Sequence, residues 1–261
     1  MAEQYRIYGR SYSTKLKQAI TAISATKHYA YGAILEDTVG SMYRYCKWGG
    51  SSVLTQRAGW GYNYQISGHL AVPTTSAIGT KVVYATVTIT DGVAGDGVIA
   101  ADYLADGYAI VWHADLTIMR LRIISNTAVA AGGGTIAFTV EDPINAAITV
   151  ATETIELFAS PFVDVRTGNG GGNHAFIAQP MAPFVSAAPY GWGLVRGVTF
   201  IDPQPAVGTS LNQQLVFRHD GSVDVQDDSD AYAQHMQHAG HVLSYFATGL
   251  QAAPFMMLKI W

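Results

Sequence analysis

Three of the eight histidines of the chain lie within seven positions, in the segment DAYAQHMQHAGHVL (residues 230–243). Imidazole nitrogens are common zinc ligands, so His235, His238 and His241 raise the question of a metal site. On a helix, His235 and His238 would be neighbours, but His241 would point away from them. On a strand, His235 and His241 would share one face and His238 would take the other. Because neither arrangement brings all three together, we expect polar surface or a subunit interface.

Symmetry offers these histidines a second possibility. If the segment lies near the three-fold axis of a trimer, one histidine from each chain faces its two copies and can bind a metal ion. Without metal, protonation in acid would place three like charges together and loosen the trimer. The alternative is that the histidine side chains point into solvent, where they neither bind a metal ion nor make the trimer sensitive to acid. For the single chain the sequence therefore predicts no metal site.

The remaining candidates for catalysis do not form a recognisable constellation. Glu153 and Glu156 would face opposite ways along a strand, which argues against a shared glycosidase site. The segment QDDSD lacks the glycine and terminal glutamate of a calcium-binding loop, and the glycine-rich GNGGGNH lacks the lysine of a nucleotide-binding loop. Cys46 has no signature of a catalytic thiol. We expect a protein that is not an enzyme and needs no cofactor.

The composition favours an assembly component. Charged residues make up 13% of the chain, about half the usual share of soluble domains, and burial against other subunits would cover such a surface. The net charge is −4 with 15 Lys and Arg, so no nucleic-acid partner is expected. The opening MAEQYRIYGR has no apolar run, and other apolar stretches are broken by charges. We therefore expect no signal peptide, no membrane partner and synthesis in a cytoplasm.

Two aromatic segments are candidates for contacts with other molecules. GWGYNY places Trp60, Tyr62 and Tyr64 on one face of a strand, and PYGWG contributes Tyr190 and Trp192. Exposed stripes of this kind can bind glycans, whereas buried ones form core or subunit contacts. Because aromatic residues are also enriched at protein interfaces, we favour core or interface.

The distribution of strand and turn signals predicts a mainly β fold with β-sandwich or barrel-like units, short turns and an extended N-terminal arm. KVVYATVTIT is a strand, and MRLRIISNTA and TIAFTVEDP form a hairpin around VAAGGG. Residues 1–30 are either weakly helical or an arm that orders only against a neighbour. The division predicted from these signals has four parts: an N-terminal arm and β entry segment (1–70), a central β domain (71–165), a Gly-rich linker (166–174) and a C-terminal β domain (175–261).

Several segments, taken in order, resemble one family. YGAILEDTVGSMYRYCKWGGSSVLTQRAG is similar to the opening of tailed-bacteriophage virion structural proteins of the capsid decoration or cement type. GVIAADYLADGYAIVW, GGTIAFTVEDPINAAI and ELFASPFVDV are similar to the central β unit of that family, and YGWGLVRGV and GHVLSYFATGLQAAPFMMLKIW to its closing pattern. The chain departs from the family in VWHADLTIMRL, where a glycine-containing turn is common, and in the histidines of its last part.

The resemblance implies a non-enzymatic structural protein of a phage particle, assembled in the bacterial host cytoplasm. Such a protein would form a homotrimer, bind the major capsid protein on the outside of the head and stabilise the capsid. The alternative is a virion fibre or spike module that binds host surface glycans through its Trp and Tyr surfaces.

Overall fold

The structure is a computed structural model that describes residues 6–8 (backbone only), 16–50, 53–62, 65–168, 175–205, 207–208, 213–226, 237–243 and 255–260. Regular structure in these residues consists of β-strands and contains no helix, so the prediction of a mainly β fold is confirmed. No helix that is long and apolar enough to cross a membrane occurs in the part of the chain just defined.

Seventeen strands are described, and they form two antiparallel sheets. In chain order they are β1 Arg6–Tyr8, β2 Ile34–Glu36, β3 Met42–Lys47, β4 Gly59–Gly61, β5 Gln65–Ala71, β6 Val82–Val87, β7 Tyr108–Trp112, β8 Ile118–Asn126, β9 Gly134–Val140, β10 Thr154–Phe158, β11 Val165–Arg166, β12 Phe176–Pro180, β13 Tyr190–Thr199, β14 Gln214–Phe217, β15 Val223–Val225, β16 His238–Val242 and β17 Met256–Lys259.

The chain folds into two compact units, and the first is built from both ends of the sequence. Unit 1 comprises residues 1–62 and 162–261, and unit 2 comprises residues 63–161. This differs from the four predicted parts, because the N-terminal segment and the C-terminal domain are one unit. The physical reason is strand pairing: β13 lies between β3 from the first part of the chain and β17 from its end. Arg166 of the predicted linker belongs to β11 inside unit 1.

Unit 1 is an eleven-stranded sheet with a core rich in aromatic side chains. Its main path runs β1-β2-β3-β13-β17-β16-β14-β15, with β4, β11 and β12 branching from it. Trp48, Phe184 and Trp192 are buried in this core, and the rings of Trp48 and Phe184 stack with their centroids 5.1 Å apart. Gly191 is required beside Phe184, because a Cβ at that position would overlap the phenyl ring.

Residues 16–31 form no helix and pack on the core of unit 1, so the weakly helical alternative is wrong for this stretch. That residues 1–30 order only against a neighbour stays a prediction. Gln18 is buried; its side-chain amide donates to the carbonyls of Ala22 and Tyr190, both at 2.8 Å. The Tyr45 hydroxyl donates to Gln18 Oε1 at 2.7 Å, and the Trp192 indole donates to the Gln18 carbonyl. Satisfied buried polar groups of this kind fix the segment in one position.

Unit 2 is a six-stranded sheet in the order β5-β10-β7-β8-β9-β6. The sheet curls, since the Ile66 carbonyl of β5 accepts a hydrogen bond at 2.9 Å from Gly92, just beyond β6 at the opposite edge. Alternate residues of the strands point inward and are buried, except where a β-bulge interrupts β5; among the buried ones are Val83, Val111, Ile123, Phe138 and Leu157. Residues that point outward form the outer face of the sheet. The curled sheet therefore encloses its own hydrophobic core and exposes its outer side chains.

Candidate functional site

The clustered histidines do not follow simple strand alternation. His238 and His241 are both exposed on β16, although the alternation argument placed them on opposite faces. A β-bulge causes the difference: Leu215 of β14 pairs with Gly240 while the next residue, Val216, pairs with His238. The bulge inserts one extra residue and so shifts the alternation by one. His235 lies outside the described residues.

Exposed side chains of β13, β17 and β16 form a continuous surface of unit 1, which we call the β16 face. Cross-strand pairing aligns Arg196 with Lys259 in one row and Val198, Met257 and His241 in the next. Leu243 and Phe255 form a third row, in which the Leu243 amide donates to the Phe255 carbonyl at 2.8 Å. The face consists of these residues and His238: Arg196, Val198, His238, His241, Leu243, Phe255, Met257 and Lys259.

The β16 face combines large apolar side chains with positive charge. Val198 and Phe255 are each 56% exposed and Leu243 is 47% exposed, whereas the Arg196–Lys259 row places two cations at one end. None of the eight defining residues is acidic. Apolar side chains that lie together on a surface, next to polar or charged groups, are typical of protein contact sites. The chemistry here suits binding to a protein surface rather than catalysis.

Most of the aromatic candidates from the sequence belong to the core of unit 1. Trp60 and Trp192 are buried, and the Trp60 indole donates to the Gly168 carbonyl at 3.2 Å. Tyr62 and Tyr190 are partly buried and pack against the same core. Tyr64 lies outside the described residues. A buried indole presents no ring face to a sugar or a partner, so neither tryptophan can serve as a stacking platform in this conformation.

Among the tryptophans that the structure describes, Trp112 is the exposed one, and it lies on the outer face of unit 2. It is 39% exposed and stands between Thr154 of β10 and Ile118 of β8 in one cross-strand row. The next row along the strands contains Glu156, Ile110 and Arg120. We call this surface the Trp112 face and define it by Trp112, Ile110, Ile118, Arg120, Thr154, Glu156 and, from β5, His69.

His69 completes the Trp112 face through a second β-bulge. Ile155 pairs with Leu70 but Leu157 pairs with Ser67, so Gly68 and His69 together stand opposite Glu156. His69 has a φ of 52°, a conformation that a residue with a Cβ adopts at a cost in free energy. Its imidazole Nε2 lies 3.4 Å from a Glu156 carboxylate oxygen, and Nδ1 lies 3.4 Å from the Thr154 hydroxyl. The imidazole and Trp112 ring centroids are 6.2 Å apart.

A hydrogen bond between His113 and Glu153 fixes the strand end next to Trp112. His113 Nδ1 lies 2.8 Å from Glu153 Oε1, and both side chains are largely buried. Glu153 Oε2 accepts from the Thr149 amide, so the carboxylate joins the end of β7 to the loop before β10. Within the described part of the chain, His113 Nε2 is buried and has no hydrogen-bond partner, so it is inaccessible to a substrate. Glu153 and Glu156 thus contact different histidines.

Trp112 and His69 are the functional candidates that the sequence argument missed. Alternation within YAIVWH would place Tyr108, Ile110 and Trp112 on one face, so a signal for Trp112 was present. His69 had no such signal, because its position depends on a bulge that forms only when β5 pairs with β10.

Comparisons with known proteins do not assign a function to the chain, so the candidate sites are identified from geometry alone. No protein-family model, curated protein or solved structure matches the chain. Among the residues whose placement is described, no group of three or more His, Cys, Asp or Glu side chains could hold a metal ion. The two faces therefore stand as the candidate sites, one in each unit.

Proposed function

We propose that the chain is a non-enzymatic structural protein of a phage particle, of the capsid decoration type. In this proposal it forms a homotrimer and binds the major capsid protein on the exterior of the head. The sequence resemblance supports the family, and the low charge content supports a surface that is covered in an assembly. The observation that carries the proposal is the β16 face of unit 1.

The β16 face has the chemistry that a capsid contact requires. Burying an apolar side chain of the size of Val198, Leu243 or Phe255 contributes roughly 1.5–3 kcal/mol. Because each of the three is already about half buried, each would gain roughly half of that, so they would form the apolar centre of a larger contact. Arg196 and Lys259 add attraction for carboxylates of the partner and speed the encounter.

Rebinding to particles tests the proposal. Heads stripped of the protein are incubated with purified wild-type chain, Val198→Asp or Ile89→Asp, and bound protein is measured after sedimentation. Ile89 is 63% exposed in a turn of unit 2 and serves as the matched control. We expect Val198→Asp to reduce binding at least tenfold, because a buried unpaired carboxylate is strongly unfavourable, and Ile89→Asp to bind like the wild type. Wild-type protein that fails to rebind, or equal binding by Val198→Asp, would contradict the proposal.

The oligomeric state is a separate part of the proposal. Light scattering of the purified protein at micromolar concentration should give the mass of a trimer, and a well-folded monomer would overturn this part. The axial arrangement of the histidines stays a prediction. Replacing His238 or His241 by Gln, with and without chelator, should change trimer melting if the histidines meet on the axis. Variants that melt like the parent would leave the histidines as surface residues.

A further inference from the structure

We infer that the Trp112 face of unit 2 is a binding site for a neutral carbohydrate. This goes beyond the proposed role in the particle and involves a different unit, so the two can fail separately. The inference depends on the arrangement of one exposed indole with a carboxylate, an imidazole and a hydroxyl along one side of it.

The indole of Trp112 supplies the apolar part of the site. A sugar ring has faces of C–H groups that pack on an aromatic ring, and an amphipathic indole suits a partner that is apolar on one side and polar around its edge. Trp112 stands on the outer face of β7 and leaves 39% of its surface open. Its row neighbour Ile118 is exposed as well and extends the apolar platform.

Directional polar groups line the platform on the β10 and β5 side. His69 lies 3.4 Å from both the Glu156 carboxylate and the Thr154 hydroxyl, so these three groups form one connected set. Together they can donate to and accept from neighbouring hydroxyls of a sugar. Small-molecule sites usually combine an apolar surface with a few convergent polar groups, and this set has that composition.

The backbone holds these groups in place before any ligand binds. The bulge fixes His69 at positive φ, and bulges of this kind commonly re-aim a side chain next to a functional site. The His113–Glu153 hydrogen bond of 2.8 Å fixes the residue that follows Trp112. Pre-organisation lowers the entropic cost of binding, which matters for a ligand as polar as a sugar.

The charges of the face favour a neutral ligand. Glu156 and Arg120 lie in one cross-strand row, on either side of Ile110. One is acidic and the other basic, so the face has no surplus of positive charge that would select a phosphate or a polyanion. A protein partner is the competing occupant, because Ile118 and Trp112 are both apolar. The experiment below separates it from a sugar, since soluble polysaccharides offer no protein surface.

Affinity electrophoresis of the full chain tests the inference. Native gels contain dextran, laminarin, mannan or galactomannan, and mobility is compared with a gel that contains no polysaccharide. We expect at least one of these neutral polysaccharides to retard the wild-type protein. Trp112→Ala should remove the retardation, and Glu156→Gln should weaken it by about tenfold in apparent Kd, the equivalent of one charge-assisted hydrogen bond. Val98→Ala is the matched control, because Val98 has the same 39% exposure in another part of unit 2.

Three results would overturn the inference: no retardation in any gel, retardation that Trp112→Ala retains, or equal loss with Val98→Ala. Circular dichroism and thermal melting confirm that Trp112→Ala still folds, which is expected of an exposed side chain. If Trp112→Ala instead abolishes rebinding to stripped heads while no polysaccharide is bound, the face is a protein contact and the carbohydrate inference is wrong.

Discussion

The β16 face of unit 1 and the Trp112 face of unit 2 are both outer surfaces of antiparallel sheets, yet they differ in chemistry. The β16 face has an apolar centre with cations at one end and none of its eight residues is acidic. The Trp112 face has a single indole with His69, Thr154 and Glu156 beside it. The first suits a broad protein contact and the second a small polar ligand. The role of such a sheet therefore depends on its outward residues and not on its topology.

Removing one tryptophan from each unit should give the largest contrast. Trp192 is fully buried in the core of unit 1, so Trp192→Ala leaves a cavity and should cost about 3–5 kcal/mol of unfolding free energy. Trp112 is exposed, and Trp112→Ala should cost less than about 1 kcal/mol. Urea unfolding followed by far-UV circular dichroism measures both. Similar losses of unfolding free energy for the two variants would show that Trp112 is a core residue, and the two tryptophans would then not differ in role.

Gly240→Ala should damage the β16 face while leaving the Trp112 face intact. Gly240 has a φ of 140°, and a Cβ at this position would overlap the Met257 carbonyl oxygen. The pairing of β16 with β17 should therefore be disturbed, at a cost of about 1–3 kcal/mol. We expect rebinding to stripped heads to be lost and polysaccharide retardation in gels to be unchanged. Loss of both activities would mean that the two faces are not independent.

Acid should weaken unit 1 through Asp220. Burial by itself would raise the pKa of Asp220, but hydrogen bonds from Ser222 and the ion pair with Arg57 outweigh it and hold the pKa below its usual value. A lowered pKa means that the carboxylate stabilises the fold above its ordinary pKa of about 4 and stops doing so as the pH falls through the folded value. Asp220→Asn should therefore cost about 1 kcal/mol at pH 7 and progressively less below about pH 4.

Asp115 in unit 2 is the control for this pH dependence. Hydrogen bonds from the Thr117 hydroxyl and amide lower the pKa of Asp115, but the carboxyl is fully exposed in the turn between β7 and β8. Solvent screens such a group, so Asp115→Asn should leave urea unfolding nearly unchanged at every pH. Unfolding free energies are measured for both variants at pH 7, 5 and 3. An equal pH dependence of the two would contradict the prediction that Asp220 stabilises the fold and Asp115 does not.

The smallest expected effect is on the reactivity of the Cys46 thiol, which probes the opening of the unit 1 core alone. Burial raises the pKa of the Cys46 thiol, and the opposing influence of Arg44 is weaker. Because the thiolate is the reactive form, the native protein should not react with a disulfide reagent at pH 8, whereas the urea-unfolded chain should react at its one thiol. Rapid reaction of the native protein would show that this side of the unit 1 core opens readily.

The agreement between sequence and structure is best where the determining contacts are local. The β8–β9 hairpin follows from two strand-forming runs around VAAGGG, and Gly132 and Gly133 adopt positive φ as such a turn requires. The mainly β class follows in the same way from residue types. The aromatic segments show the limit of this argument: alternation in GWGYNY and YGWG indicates strands, but it does not tell whether a second layer covers them. Trp60 and Trp192 are covered and Trp112 is not.

The strands, the turns between them and the scarcity of charge could be predicted from the sequence alone, because they depend on residue type and on neighbours along the chain. That both ends of the chain form one unit depends on tertiary pairing, since β3 pairs with β13 across more than a hundred residues and β13 also pairs with β17. Tertiary pairing also decided which side chains of β5 and β16 reach the surface. A β-bulge shifts alternation by one residue, and it exists only where two particular strands pair, so His69, His238 and His241 could not be placed from spacing.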